Sequence, residues 1–210
     1  MNSIKVGITG GIGSGKSYVC RLIEQQLGVE VYDCDSAAKR LMRTSLQLRQ
    51  QLTELIGPDT YGYSKISETT ESTGASADLP PLNKAVVAQF LLASPENARA
   101  IDTIVHPAVF ADFEASGLQW VESAILYESG LDRLVDRVIV VTAPEEVRIE
   151  RVMRRDGITA EKARQWIARQ LPQEELQRRA DYEIVNDGLQ PLAPQIDTLT
   201  KTITKTNKKK

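Results

Sequence analysis

Cysteine, histidine and long apolar runs are scarce in this chain, and each scarcity narrows what it does. Of 210 residues only Cys20 and Cys34 are cysteine and only His106 is histidine. The cysteine spacing matches no zinc-binding or redox motif. Cys20 reads most simply as a small core residue of a helix. No apolar run is long enough to span a bilayer, and the N-terminus lacks the basic-then-apolar pattern of a signal peptide. Charge of one sign is not in excess either. Lys and Arg number 26 against 28 Asp and Glu, a net of −2, which argues against broad nucleic-acid or membrane binding. No internal repeat is visible. A reduced cytoplasmic protein is the expectation, built as one domain with insertions rather than two independent ones.

What the sequence does have is Gly10-Gly11-Ile12-Gly13-Ser14-Gly15-Lys16-Ser17. It fits the phosphate-binding pattern G-x-x-x-x-G-K-[ST] without a mismatch. Residues 4–9 before it read as a short buried strand, and Lys16 to Leu27 after it as an amphipathic helix. Glycines allow the tight turn that converges successive N–H groups on phosphate oxygens at a helix N-terminus. Lys16 is placed to reach the β- and γ-phosphates, and the Ser17 hydroxyl to hold Mg²⁺. A glycine-rich turn without a ligand has no need of Lys and Ser directly after its last glycine. The motif therefore implies nucleoside triphosphate binding.

Further along, Gly28 is a helix stop, and Val29 to Tyr32 reads as a second strand ending at Asp33-Cys34-Asp35. A strand–helix–strand unit of this length makes a right-handed parallel crossover. That puts Asp33 on the same sheet edge as Lys16, the edge where open α/β folds bind ligands. With another strand between them, their backbones stand about 10 Å apart. Residues 36–56 carry a helical pattern. Gly57 to Pro81 reads as a loop, mobile at Ser67 to Asp78. Helical periodicity returns over residues 85–92, breaks at Pro95, resumes through Ile101 to Ile104, and is interrupted at His106-Pro107 before residues 108–115. Trp120 to Leu126 and Val135 to Val141 are the next strands. Val147 to Arg155 and Ala160 to Leu171 are helices, Tyr182 to Val185 is a last short strand, and Asn186-Asp187-Gly188 is a turn. An amphipathic helix follows, ending in a solvated basic tail over 205–210.

Three groups of side chains bear on chemistry. Asp33 is the residue to accept a proton from a substrate hydroxyl or to bind Mg²⁺ through water, while Asp35 reads equally as the cap of the next helix. At about 100° per residue, Arg148, Arg151 and Arg155 fall on one narrow arc, beside an apolar stripe of Ile149, Val152 and Met153. Such an arc faces either the phosphate chain or nearby acids such as Glu146 and Asp156. Arg154 points elsewhere. Glu122 and Glu128 are alternative carboxylates for the magnesium shell. His106, standing before a proline, reads by itself as a structural residue.

The whole set resembles the dephospho-coenzyme A kinase family, in the family's order and over nearly the whole chain. The matching pieces are residues 8–17, Asp33-Cys34-Asp35, Val105-His106-Pro107-Ala108-Val109, Leu126-Tyr127-Glu128-Ser129-Gly130, residues 151–157, Gln170, and residues 180–186. The resemblance implies ATP-dependent phosphorylation of the ribose 3′-hydroxyl of dephospho-coenzyme A; the expectation of Mg²⁺ comes from the phosphate loop, and that of no nucleic-acid or membrane partner from the near-neutral charge and the short apolar runs. It implies an α/β fold of three layers: a five-stranded parallel sheet, a helical substrate-binding insertion and a helical lid. On this chain that means a core over about 1–35, 119–143 and 181–204, an insertion over about 36–118 and a lid over about 144–180. Asp33 matches the family's base, with Lys16, Arg151 and Arg155 as its catalytic companions. Arg148 and Asn186 join residues 10–17 as candidate ATP contacts, and His106 and Glu128 join Asp33 as candidate substrate contacts.

Two features depart from the family's pattern. Glu122 stands where an aspartate is usual. Asn83-Lys84 replaces an Asp/Asn-Arg pair and loses a bidentate fork, after a loop that is longer than expected. Rival readings are a kinase of the same architecture acting on a nucleotide or small alcohol, and a nucleotide-switched binding protein. For the switch, Asn83-Lys84-Ala85-Val86 lacks the acid of the guanine-recognition motif.

Overall fold

A computed structural model describes residues 4–62 and 79–206. The loop expected over Ser67 to Asp78 and the tail residues 207–210 lie outside them. Five parallel strands form one sheet: β1 (Val6–Thr9), β2 (Val31–Asp33), β3 (Trp120–Glu122), β4 (Arg137–Thr142) and β5 (Tyr182–Val185), in the order β2-β3-β1-β4-β5. β1 is buried throughout and β4 nearly so, the unbroken apolar run of a parallel sheet covered on both faces. On one face, Val19, Cys20 and Ile23 of α1 (Lys16–Leu27) pack with Ile196, Leu199 and Ile203 of α9 (Leu192–Thr206) against Val6, Ile8, Ile139 and Val141. On the other, Gly7 lacks the Cβ that would collide with Leu126 and Val135. There α8 (Gln173–Arg179) buries Leu176 beside β4. These are the three expected layers.

The described chain divides into two compact units, one running up to Asp33 and again from Gly117, the other Cys34–Ser116. The second unit holds α2 (Cys34–Thr44), α3 (Leu46–Ile56), α4 (Lys84–Ala93) and α5 (Pro95–Ser116). The single helical stretch expected over 36–56 is two helices, because the Ser45 hydroxyl accepts the Leu48 N–H at 3.3 Å and starts α3 afresh. Asp35 lies inside the first turn of α2 rather than before it, paired with Lys39. The expected interruption at His106-Pro107 is absent, and α5 runs through it. Proline forfeits one helical hydrogen bond. The stripe Ile101, Val105, Val109, Phe113, buried at every fourth residue across the break point, offsets that loss. A buried arginine, Arg49, donates to the carbonyls of Arg43 (3.1 Å) and Pro80 (2.7 Å) and lies 3.9 Å over the Tyr61 ring. It closes this unit in a way no local pattern announces.

In the first unit β3 stops at Glu122, short of the expected Leu126. The chain turns off the sheet there: the Ser123 N–H bonds the Ile8 carbonyl, and the Ser123 hydroxyl takes the Ile125 N–H. Beyond β4, α6 (Glu145–Asp156) and α7 (Ala160–Ile167) share a small cluster of Ile149, Val152 and Ala163 with Ile12 packed on it. Met153, expected in that stripe, is 37% exposed. α7 is shorter than the expected 160–171, and α8 was not foreseen. No helix among the described residues is long and apolar enough to cross a membrane.

Candidate active site

The phosphate loop joins the end of β1 to the start of α1, and its conformation is set by what surrounds it. Gly13 (φ 80°) and Gly15 (φ 86°) occupy the left-handed region, where a side chain is strained. Space forbids one as well. A Cβ on Gly13 would meet the backbone of Arg148, and one on Gly15 the Asn186 amide. Gly11 leaves room for the Arg148 guanidinium in the same way.

Much of the loop's carbonyl edge is fastened from outside. Arg148 Nε donates to the Ile12 carbonyl at 3.0 Å. Arg151 Nη1 reaches the Gly13 and Ser14 carbonyls at 3.4 and 3.3 Å. Asn186 Nδ2 donates to the Ser14 carbonyl at 2.8 Å, and its Oδ1 accepts from Arg151 at 3.4 Å. With these carbonyls held outward, the first N–H groups of α1, which have no carbonyl one turn behind them, are left for an anion. Arg148 is 5% exposed. Burial pushes its pKa below the usual arginine value, with Glu145 and Glu174 opposing. An arginine remains charged regardless.

Of the three arginines on one arc, two thus clasp the loop. The third, Arg155, forks onto Asp156 at 3.0 and 2.8 Å. Arg154 points away, bonded to Glu150 at 2.6 Å and 78% exposed. A cleft of about 420 Å³ opens over the loop, lined by Lys16, Ser17, Ala124, Arg151, Arg155 and Gln170 among others. Lys16 Nζ lies 3.0 Å from Glu122 Oε1, both largely buried. Glu122 stands in register with Ile8 on one side and Asp33 on the other. The ends of three neighbouring strands and the loop leaving β1 therefore bring Lys16, Glu122 and Asp33 to one edge, and β3 is the strand that lies between β1 and β2. Burial, aided by the Glu122 charge, pushes the Cys20 thiol beneath this edge up to about 12.

Two further candidates remain, one in each unit. Glu128 is exposed and its Oε1 accepts the Leu171 N–H at 3.3 Å. His106, in the helical unit, has Nε2 3.6 Å from Asp102 Oδ1 and stacks on Phe110. One participant escaped the residue-level reading. The Ile12 N–H donates to Gln170 Oε1 at 2.6 Å across 158 residues of sequence, and no spacing rule connects the two.

Comparison with known proteins agrees with this geometry. The family model described as Dephospho-CoA kinase matches residues 4–191. A dephospho-CoA kinase of Bacteroides fragilis is 39% identical over 201 residues, covering 92% of this chain and 90% of that one. The Chlorobaculum tepidum dephospho-CoA kinase is 35% identical over 208 residues, covering 94% of each. A crystal structure from Thermus thermophilus superposes with a TM-score of 0.70 at 26% identity, over 98% of both chains. With an unbroken phosphate loop, a parallel sheet in kinase order and relatives this near over most of its length, the chain belongs to the dephospho-CoA kinase family of phosphate-loop kinases.

Proposed function

We propose that this chain transfers the γ-phosphoryl group of ATP to the ribose 3′-hydroxyl of dephospho-coenzyme A, giving coenzyme A and ADP. The observation that carries this reading, beside the family, is the shared edge. Asp33 ends β2 and Lys16 starts the helix that follows β1 through the phosphate loop, with only β3 between the two strands; strands two places apart stand about 10 Å from each other, a span that a phosphoryl group and an acceptor hydroxyl fill. Asp33 takes the hydroxyl proton as the acceptor oxygen bonds to γ-phosphorus. The bond from γ-phosphorus to the β–γ bridging oxygen breaks, and ADP leaves with that oxygen. Lys16 and the clasped loop hold the charge that develops on the phosphates, and Arg155 supplies a further cation from the cleft wall. Arg148 and Asn186 fix the loop that receives ATP.

Mg²⁺ fits the donors present. It takes one or two carboxylates and phosphate oxygens rather than an all-protein cage, and the described residues hold no cluster of three or more acidic, histidine or cysteine ligands. The Ser17 hydroxyl and, through water, Glu122 would hold it. Bound there, it would neutralise phosphate charge. His106 and Glu128 are assigned to the acceptor's side. Both cysteines are free thiols, which suits a reduced cytoplasmic setting.

The test is phosphate transfer from ATP across a panel of acceptors: dephospho-coenzyme A, adenosine, a nucleoside monophosphate and a small alcohol. Dephospho-coenzyme A should be strongly preferred, and Lys16→Ala should abolish transfer with an unchanged melting temperature. Preference for a nucleotide would overturn the acceptor assignment.

A further inference from the structure

The Gln170 amide lies where it can do more than hold the loop. A backbone N–H only donates, so the 2.6 Å bond from Ile12 N–H fixes the side-chain oxygen toward the loop. The NH₂ group must then face the other way. Gln170 lines the cleft with Lys16, Ser17 and Arg155, and its NH₂ makes no hydrogen bond among the described residues. Its neighbour Leu171 is tied through its N–H to Glu128, in the segment that leaves β3. Residues 170–171 are therefore held beside the segment that leaves β3, and Ala124 of that segment lines the same cleft as Gln170. The end of the triphosphate on that side is the one that meets the acceptor.

We propose that Gln170 binds the terminal phosphoryl group of ATP through its NH₂, with its oxygen locked on the Ile12 N–H so that the donor points at the γ-phosphate. The assignment rests on the kinase reading of this cleft. A neutral donor suits the position, since Lys16 and Arg155 already supply charge and what remains to be set is orientation. The oxygen's bond to Ile12 makes the aim of the donor independent of whether ATP is bound.

Gln170→Glu separates this role from simple anchoring. The carboxylate still accepts the Ile12 N–H, and more strongly, but it has no donor and places a negative charge at the γ-phosphate. Gln170→Met keeps the length and has neither function, while melting temperatures report folding for both variants. Titration calorimetry with Mg²⁺-ADP and with a non-hydrolysable ATP analogue is the readout. Gln170→Glu should weaken the analogue roughly 10- to 100-fold, the worth of a hydrogen bond to a charged group, and ADP at least fivefold less. Gln170→Met should weaken both, because the loop also loses its anchor. A Glu variant that binds the analogue like wild type, or loses ADP and analogue equally, overturns the proposal. Both binding arms stand whether or not dephospho-coenzyme A proves to be the acceptor, so failure of the substrate assignment in the panel is distinct from failure here.

Discussion

Asp33 illustrates how much a single position decides. It ends β2, is exposed, and stands opposite Glu122 in register, so two carboxylates share the edge and Lys16 lies 3.0 Å from Glu122. The transfer proposed above gives the proton of the acceptor hydroxyl to Asp33. Asp33→Asn keeps shape and removes basicity. Turnover should fall on the order of 10²- to 10⁴-fold with ATP affinity by calorimetry nearly unchanged, and full activity would remove Asp33 from the mechanism. The two cysteines make a second residue-level contrast. Cys20 is 7% exposed with its thiol pushed up to about 12, so at pH 8 only roughly one molecule in 10⁴ carries the reactive thiolate. Cys34 is partly exposed. Iodoacetamide should add once per native chain, at Cys34 by mass mapping, and twice in denaturant. A rapid second adduct on the native protein would contradict the burial of Cys20.

At the scale of elements, α6 is the decisive piece, because one helix face serves two purposes. Ile149 and Val152 bury it against α7, and the adjoining arc turns Arg148 and Arg151 onto the phosphate loop. Arg151→Ala frees the Gly13 carbonyl, leaves the Ser14 carbonyl to Asn186 alone and releases the Asn186 side-chain oxygen at once. Turnover should fall on the order of 10²-fold, and Arg151→Lys should not restore it, since one ammonium lacks the planar fork. Arg154→Ala, removing an exposed i,i+4 pair, should stay within about twofold of wild type. Equal losses at 151 and 154 would refute the helix-phase argument. That arc was legible from spacing alone, as were the phosphate loop, all five strand positions to within two residues at their starts, and the parallel crossover that sets Asp33 on the same edge as Lys16. What was not legible shares one physical character. Arg49 finds its partners far away in sequence, as does Gln170, which the sequence offered only as a matching position without a role, and a polar side chain read without its partner looks like solvated surface. Pro107 is the reverse case: a strong local signal for a break, overruled by four buried apolar residues, two on each side of it.

For the molecule as a whole, the division at Asp33 and Gly117 predicts where a nucleotide is felt. Every described contact of the phosphate loop comes from the sheet-bearing unit. Mg²⁺-ADP at about 100 times its dissociation constant should add about 2.7 kcal/mol of stability. Hydrogen exchange should slow over residues 11–17 and at the start of α6, and stay unchanged in α3 and α5. Equal protection of the helical unit by ADP alone would show that the two respond as one.

The strand order has a last consequence, for the protein while it is being made. β1 and β2 are consecutive in the chain yet do not touch as a pair, because β3 lies between them, and β3 is synthesised only after the whole of Cys34–Ser116. The helical unit, with contacts local in sequence, can condense first, while the leading strand and its glycine loop wait without a sheet to join. The groups that hold the loop's carbonyls and the Ile12 amide, Arg148, Arg151, Gln170 and Asn186, emerge later still. A nascent chain carries the whole nucleotide-binding motif by residue 17, yet the last of these fasteners arrives only with residue 186, so full affinity for a nucleotide should appear only once that residue has left the ribosome.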